Sequence, residues 1–423
     1  MTTLLRSQLL ILFLSNFASL ATYLVQIYLG HTLSTSDFGT FNAINALGTI
    51  VLSLFNLIQT LTARNIAELG GSPLEQATQL RALTRFTWIS TLITTGGLWL
   101  FTPLLTDYLH LETGTALLIY SSAVVATYFF GLYAGALNGL FEYVRTTSYT
   151  AAAYAFRLAF TLLLVGLLQL RHFGALAAIT LGTGVATYFL KKRVDFRLKS
   201  HRPEVALPAN EAASKTIVQK SPLVIQGAPI LLQFIAINLL TQLDVVWAKA
   251  YLSADTAGMY SGVTVIARIA AFLPLMLISL LLPEAAKAPN EKSAFKVLVQ
   301  TLLLAATVSG SFVILTALFP TFFLNTLLGG QYLAGASLLP KVGLVASLST
   351  LIQIVAASLF ARRSQSYLAG LGAGIASLLI WVKVSPPQAP EDLVRIFFFS
   401  NLLSFCVLFG LALWRLRIRK TDA

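Results

Sequence analysis

Five charged residues lie within or near long apolar runs, where a charge is costly and therefore informative. Arg157 and Arg268 are deep inside their runs, Lys341 and Arg395 are nearer the ends of theirs, and Asp244 is a single acid at the end of another. Ionisable groups in membrane-spanning segments are rare and mark substrate or ion pathways. Arginine presents a planar fork of donors that fits phosphate. Cations with almost no acid beside them predict a site for an anion, with phosphate as the best-suited group.

Each of these charges also has a simpler structural explanation. Arg268 could be held by Asp244 or by a helix carbonyl without touching any ligand. Lys341 could extend its ammonium group to the membrane surface along its apolar stem. Both explanations stay open at this point.

Uncharged polar side chains form stripes along three of the apolar runs. They recur at steps of three and four residues, which places each set on one helix face. The members to which we assign binding roles are Asn16, Tyr23 and Gln26 in the first run, Asn42, Asn45 and Asn56 in the second, and Gln233 in the seventh. Such stripes either join helices by hydrogen bonds or line a wet cavity. We predict that these line a cavity and contact a polar substrate.

The elements that position these residues are membrane-spanning helices. Hydrophobic residues make up 57% of the 423 positions and charged residues 11%, whereas soluble domains average about 25% charged residues. Twelve apolar runs are each long enough to cross roughly 30 Å of hydrocarbon. The predicted spans are residues 9–30, 39–62, 86–106, 115–137, 149–170, 174–190, 223–243, 258–282, 295–318, 336–360, 366–384 and 393–414. The first is predicted to be a retained helix and not a signal peptide.

A nine-residue pattern occurs twice and indicates a duplicated chain. Residues Leu33–Phe41 read L-S-T-S-D-F-G-T-F, and residues Leu252–Tyr260 read L-S-A-D-T-A-G-M-Y. Leucine, serine, glycine and an aromatic ring fall in register, and each copy lies in a short polar gap between two spans. The two copies are 219 positions apart, about half of the chain, and such self-similarity indicates internal repeats. Two copies with six spans each predict parallel repeats about an axis along the membrane normal.

Charge bias and the longest polar gap predict the topology. Lysine and arginine concentrate in alternate gaps, which places both termini in the cytoplasm by the positive-inside rule. We predict an N-terminal six-helix lobe over residues 1–190, a basic cytoplasmic linker over 191–222 and a C-terminal six-helix lobe over 223–423. The predicted fold class is an all-α polytopic membrane protein of about twelve transmembrane helices, in two pseudo-repeated lobes around a central cavity.

No enzyme motif or metal-ligand spacing competes with a transport function. The chain has neither a P-loop nor an H-E-x-x-H sequence. Its one cysteine, Cys406, and four scattered histidines form no disulfide framework or metal pattern. The net charge of +13 is what cytoplasmic lysine and arginine produce in a membrane protein, so nucleic acid is not an expected partner. We predict no cofactor, no metal and no catalysis, and we interpret Gly370–Gly374 as helix packing.

These features resemble the polysaccharide transporters, the Wzx-type O-antigen and exopolysaccharide flippases of the multidrug/oligosaccharidyl-lipid/polysaccharide exporter superfamily. In the first half, the resemblance rests on Ser15-Asn16-Phe17, the L-S-x-x-x-x-G-x-F gap and the polar second span. In the second half, it rests on Asn238 to Asp244, Ala248-Lys249, Leu252–Tyr260, Arg268, Leu273-Pro274 and the span that ends at Pro283.

The resemblance implies a flippase of the bacterial inner membrane that works by alternating access. The implied substrate is an undecaprenyl-pyrophosphate-linked oligosaccharide, moved from the inner to the outer leaflet. Membrane lipid and other polysaccharide assembly proteins are the expected partners. Family binding sites are cavity-lining charges, and Arg157, Arg268, Asp244 and Lys341 match that description by position. Arg157 and Arg268 would then hold the pyrophosphate, while the polar stripes contact sugar hydroxyls.

Two other functions remain open from the sequence. A cation-coupled antiporter of drugs or other small molecules belongs to the same superfamily, although the scarcity of acids inside the spans argues against it. A membrane polysaccharide polymerase or ligase would ordinarily have a long outer loop with catalytic residues, and every predicted outer loop here is short.

Overall fold

Helices form almost all of the chain that a computed structural model describes, namely residues 2–69, 72–199, 223–272, 274, 288, 290–362 and 365–418. Their bounds are α1 Thr2–Thr32, α2 Thr35–Val51, α3 Ser53–Glu68, α4 Pro73–Tyr108, α5 Thr115–Gly139, α6 Tyr143–Thr161, α7 Arg171–Lys199, α8 Leu223–Tyr251, α9 Ala254–Ala267, α10 Glu291–Leu318, α11 Pro320–Leu327, α12 Leu339–Ala361, α13 Tyr367–Val384 and α14 Pro390–Ile418. A π-helical turn, Leu162–Leu167, extends α6, and a 3-10 turn, Gly330–Gly335, follows α11. These ranges contain no β-strand, and the all-α membrane fold predicted from the sequence is confirmed.

Within the described residues, 11 segments are long and apolar enough to cross a membrane. Each corresponds to one predicted span, and the second is the α2–α3 pair, Thr35–Glu68, which is interrupted at Leu52. The predicted eighth span, 258–282, begins as α9, but most of its second half lies outside the described residues. α7 continues to Lys199, through the first nine residues of the linker predicted at 191–222. Its remaining residues are also outside the described part of the chain.

Large apolar side chains cover the outside of α4, which shows why these helices need a membrane. Leu92, Ile93 and Leu100 are 66%, 69% and 75% exposed, and Trp99 is also exposed. A continuous apolar surface of this kind would drive aggregation in water. In a bilayer it meets hydrocarbon, as a helix that is apolar all round does.

Packing divides the chain into two compact units. Unit 1 consists of Met1–Gln26, Val51–Asp107 and Leu111–Phe234. Unit 2 consists of Ile27–Ile50, Tyr108–His110 and Ile235–Ala423. The segment Ile27–Ile50, which the sequence repeat assigns to the first lobe, therefore belongs by packing to unit 2. The lobes predicted from the repeat and the units defined by packing are different divisions of the same chain.

A stripe of glycines holds α3 and α5 together in unit 1. Gly131, Gly135 and Gly139 recur every four residues on the face of α5 that meets α3. A methyl group added at Gly135 would lie 2.5 Å from the Gln59 carbonyl oxygen, and one at Gly139 would lie 2.6 Å from the Ala63 carbonyl oxygen. Lipid is as apolar as leucine, so helices in a membrane associate through close packing of small residues. Glycine is needed here for backbone approach.

The same kind of contact joins α13 and α14 in unit 2. A methyl group at Gly370 would lie 2.5 Å from Leu408 Cγ, and one at Gly374 would lie 2.7 Å from Ser404 Cβ. The Ser404 hydroxyl also donates to the Gly370 carbonyl oxygen at 3.0 Å. The interpretation of these glycines as packing residues agrees with the structure.

We expect Gly135→Ala to destabilise the protein and Gly97→Ala to leave it unchanged or slightly more stable. The first methyl group overpacks the α3–α5 contact, at a cost of about 1–3 kcal/mol. The second enters open space on α4, where alanine is the better helix former. Thermal unfolding of both variants in the same detergent measures the difference. Equal melting temperatures for the two variants would contradict the role of the glycine stripe.

Candidate functional site

Arg268 caps the end of α9 and bonds to α8 through three acceptors. Its Nη1 donates to Gln242 Oε1 at 2.7 Å. Its Nη2 donates to the Thr241 carbonyl oxygen at 2.6 Å and to Asp244 Oδ1 at 2.9 Å. One guanidinium therefore ties the end of α9 to a single stretch of α8.

Asp244 is the acid that compensates this charge. Its side chain is 8% exposed and that of Arg268 is 22% exposed. The Tyr260 hydroxyl donates to Asp244 Oδ2 at 3.4 Å. A buried carboxylate is very costly unless it is paired and hydrogen-bonded. The structure thus supplies both partners of the structural explanation, the acid and a helix carbonyl, and Arg268 is not an uncompensated cation in this conformation.

Arg157 has a different environment, in unit 1. Its backbone lies against Gly182 of α7, where an added methyl group would be 2.6 Å from the Arg157 nitrogen. The side chain is half-buried, and its Nε has no hydrogen-bond partner among the described residues. Tyr120 and Tyr154 are its electrostatic neighbours. Within the described residues Arg157 forms no ion pair, so its charge is available to an anion.

The polar stripes are distributed over both units. Asn16 is exposed and its amide donates to the Leu12 carbonyl oxygen at 2.8 Å. Asn42 is buried and donates to the Phe38 carbonyl oxygen at 3.0 Å. Both bonds lie within their own helix. The other members, Tyr23, Gln26, Asn45, Asn56 and Gln233, are half-buried. A cavity-lining role for the stripes stays a prediction.

Lys341 lies on the surface, in the first turn of α12, which begins at Leu339. Its side chain is exposed, as the interfacial explanation expects. The structure brings Arg268 and Asp244 together, and it shows no contact between either of them and Lys341 in the described residues.

Thr241 and Gln242 are site residues that the sequence analysis did not select. Both contact Arg268 directly. Their signal was present in the sequence, because Thr241, Gln242 and Asp244 form a polar cluster at the end of an otherwise apolar run. Asn401 was also missed. It is fully buried, and its amide donates to Ser349 Oγ at 3.3 Å.

The two copies of the repeated sequence contact each other within unit 2. A methyl group at Gly39 would lie 2.8 Å from the Gly258 Cα, and one at Gly258 would collide with the Thr35 carbonyl oxygen. The Thr35 hydroxyl donates to Asp255 Oδ1 at 2.8 Å. Contact between equivalent glycines is what a two-fold axis between repeats produces. We call Thr35, Gly39, Asp255 and Gly258 the repeat junction.

A short segment covers this junction. The Gln331 amide, in the 3-10 turn, donates to the Gly30 and Leu33 carbonyl oxygens at 2.7 and 3.2 Å. The neighbouring Tyr332 ring packs edge-on against Phe38, with centroids 5.6 Å apart. Burial raises the pKa of the Tyr332 hydroxyl, which therefore stays neutral at physiological pH. These contacts hold the start of α2 in place.

Comparison with known proteins identifies the fold. A scan against protein-family models gives no match, and no curated protein matches the sequence. Among solved structures, an inward-facing multidrug resistance MATE family transporter of the MOP superfamily aligns with a TM-score of 0.74 and 13% identity, over 96% of each chain. The lipid II flippase MurJ, in an inward closed conformation, aligns with a TM-score of 0.69 and 12% identity, over 95% of this chain and 87% of that one. An outward-facing MATE family transporter aligns with a TM-score of 0.62 and 14% identity, over 98% and 97%.

At these identities the similarity concerns the fold. It does not distinguish a drug substrate from a lipid-linked one. The chain is a multi-pass membrane protein with the fold of MOP-superfamily transporters.

Proposed function

We propose that this chain is a flippase of the bacterial inner membrane that carries an undecaprenyl-pyrophosphate-linked oligosaccharide to the outer leaflet by alternating access. The proposal rests on which charged side chains inside the spans have an ion-pair partner. Arg157 has no acid partner among the described residues, whereas Asp244 is already paired with Arg268. An unpaired cation in a span favours an anionic substrate.

The distribution of acids argues against cation exchange. Every other acid in the described spans lies within about one turn of a helix end. An exporter of organic cations needs a carboxylate that can bind its substrate or coupling ion. Asp244 could serve only after releasing Arg268, which would leave a buried cation unpaired at considerable cost. The fold shared with MATE transporters keeps a cation-coupled antiporter as the second candidate.

Arg157 is the better phosphate contact of the two arginines. Its fork can bind two phosphate oxygens at once, and Tyr120 and Tyr154 place neutral donors near it. Arg268 could bind a phosphate group only by exchanging Asp244 for it. In that case Asp244 acts as an internal substitute for the anion in the empty protein.

Alternating access requires the repeat junction to open. The junction lies at the start of α2 and α9, the end that the charge bias predicts to be outer. While it is closed, substrate could leave only toward the other side. Moving two negative charges outward would also gain about 4.6 kcal/mol at roughly 100 mV, inside negative.

The first test compares Arg157→Gln, Arg157→Lys and Arg395→Gln in a strain that lacks the wild-type copy. Lipid-linked oligosaccharide is assigned to its leaflet with a membrane-impermeant sugar probe. We expect inner-leaflet accumulation in the deletion strain. Arg157→Gln should lower the flipping rate roughly tenfold to hundredfold, by the loss of charge-assisted hydrogen bonds, and lysine should be intermediate because it lacks the fork.

Arg395→Gln is the matched control, since its side chain is 70% exposed. It should flip at the wild-type rate. Normal outer-leaflet delivery in the deletion strain would refute the flippase, and assays of drug efflux would then test the antiporter. Normal flipping by Arg157→Gln at wild-type abundance would remove Arg157 from the site.

The second test separates two roles of Arg268. Asp244→Asn alone should destabilise the protein by about 3–5 kcal/mol, less the part that water compensates at the partly exposed Arg268, because it leaves that cation unpaired. Adding Arg268→Gln should restore much of the stability. If Arg268 also binds substrate, the double variant will be stable but slow in flipping. Thermal unfolding measures the stability of each variant, and the leaflet assay measures its flipping rate. If the double variant flips at the wild-type rate, the Arg268–Asp244 pair has only a structural role.

The third test locks the repeat junction closed with a covalent cross-link. In a Cys406→Ser background, Thr35→Cys and Asp255→Cys are joined by a short bis-methanethiosulfonate, which forms a reducible disulfide with each thiol. We expect flipping to stop and to return on reduction. Ser122→Cys with Thr180→Cys is the matched control, since these hydroxyls are 2.9 Å apart within unit 1 and joining them should leave flipping unchanged. Full activity of the Thr35–Asp255 cross-linked protein would exclude opening at the junction.

A further inference from the structure

A cavity of about 690 Å³ lies in unit 1, where α1, α6 and α7 approach one another near the start of α1. Its lining combines charged side chains, Arg145, Arg193, Arg197 and Glu142, with the aromatic rings of Phe141 and Tyr143. The lining residues include three arginines and one glutamate, a formal charge of +2. The proposed transport mechanism uses none of them.

Glu142 is the common partner of the three arginines. Arg145 Nη1 lies 2.8 Å from its Oε2, while Arg193 Nη2 and Arg197 Nε lie 3.3 and 3.0 Å from its Oε1. One carboxylate neutralises one guanidinium, and each guanidinium has five N–H donors. A structural ion pair would need only one arginine. Arg145 and Arg193 alone already exceed the charge of Glu142, and this excess is what an anion would use.

The fold brings these groups together by two local devices. Phe141 has a φ of +61° in the tight turn between α5 and α6, and Glu142 immediately precedes the first turn of α6. Arg193 and Arg197 are four residues apart, on one face of α7. For the basic residues from position 191 onward, the sequence allows either a topology-fixing cytoplasmic linker or contact with anionic lipid headgroups, and it favours the linker. In the structure, α7 continues through them and aims two arginines at the α5–α6 turn.

The apolar side of the cavity indicates a membrane lipid. Phe141, in the lining, is 70% exposed. Phe196 lies beside the lining on α7 and is 62% exposed, and its ring centroid is 5.6 Å from the Arg193 guanidinium. Exposed aromatic rings beside arginines are typical of the headgroup level of a bilayer. Inorganic phosphate would bind the arginines without contacting the rings. A lipid would place its phosphate on the arginines and its chains beside the aromatic groups.

We propose that this cavity, the arginine pocket, binds the phosphate of an anionic membrane lipid. Arg145, Arg193 and Arg197 hold the phosphate, and Phe141 and Tyr143 contact the glycerol and upper acyl chain. Glu142 contacts all three arginines and lowers the affinity for the phosphate by its own negative charge. This site does not involve the transported substrate, so the lipid-binding proposal and the flippase proposal are tested independently.

Binding of a fluorescent phosphatidylglycerol to the purified full chain in neutral detergent tests this site. Phosphatidylcholine and inorganic phosphate are the competitors. We expect phosphatidylglycerol to bind more tightly than phosphatidylcholine and to resist millimolar phosphate. Arg193→Gln with Arg197→Gln should weaken binding roughly thirtyfold, while Arg64→Gln, which removes an exposed arginine elsewhere in unit 1, should have no effect.

Glu142→Gln provides a readout of opposite sign. Removing the competing carboxylate should tighten phosphatidylglycerol binding roughly fivefold, whereas a merely structural Glu142 would leave the affinity unchanged or weaken it. The proposal is overturned if the two lipids bind equally, if inorganic phosphate displaces the lipid fully, or if Glu142→Gln weakens binding. Equal affinity of the double arginine variant and the wild type would overturn it as well.

Discussion

A charge inside a membrane-spanning helix bundle must find its partners within the protein, because hydrocarbon offers none. Arg268 meets this requirement with a carbonyl, an amide and a carboxylate on α8. The contact fixes the end of α9 on α8 and at the same time makes burial of Asp244 tolerable. The position of the second repeat's first two helices therefore depends on one ion pair, whose removal on either side leaves a buried charge behind.

Close approach of backbones supplies the other constraint. Without a hydrophobic driving force between helices, small residues decide which helix faces meet. Gly131, Gly135 and Gly139 do so for α3 and α5, and Gly39 and Gly258 do so for the two sequence repeats. At the repeat junction the glycine has a second consequence. The close approach brings the Thr35 hydroxyl within hydrogen-bond reach of Asp255, and together with the Gln331 bonds to Gly30 and Leu33 this contact holds the two repeats against each other.

The two intramembrane arginines look alike in the sequence but have different physical states. Arg268 is compensated, so it serves the structure first and any ligand second. Arg157 is half-buried without an acid among the described residues, so an anionic ligand would relieve an existing cost. Arg145, Arg193 and Arg197 form a third case, in which one carboxylate is shared by three cations. Fold similarity to transporters cannot distinguish these cases, since it describes backbone positions and not side-chain partners.

The sequence by itself determined the membrane class, the eleven described spans and the internal repeat, and it selected Arg157, Arg268 and Asp244 as candidate site residues. These properties follow from local composition, because insertion into hydrocarbon depends on the apolarity of each run alone. Only the tertiary structure decided that Asp244 neutralises Arg268, that Gly39 meets Gly258, and that α7 carries Arg193 and Arg197 to Glu142. The partners in each contact are distant in sequence or separated by a turn whose geometry composition does not reveal. Their pairing depends on how close two backbones come, which is a property of packing.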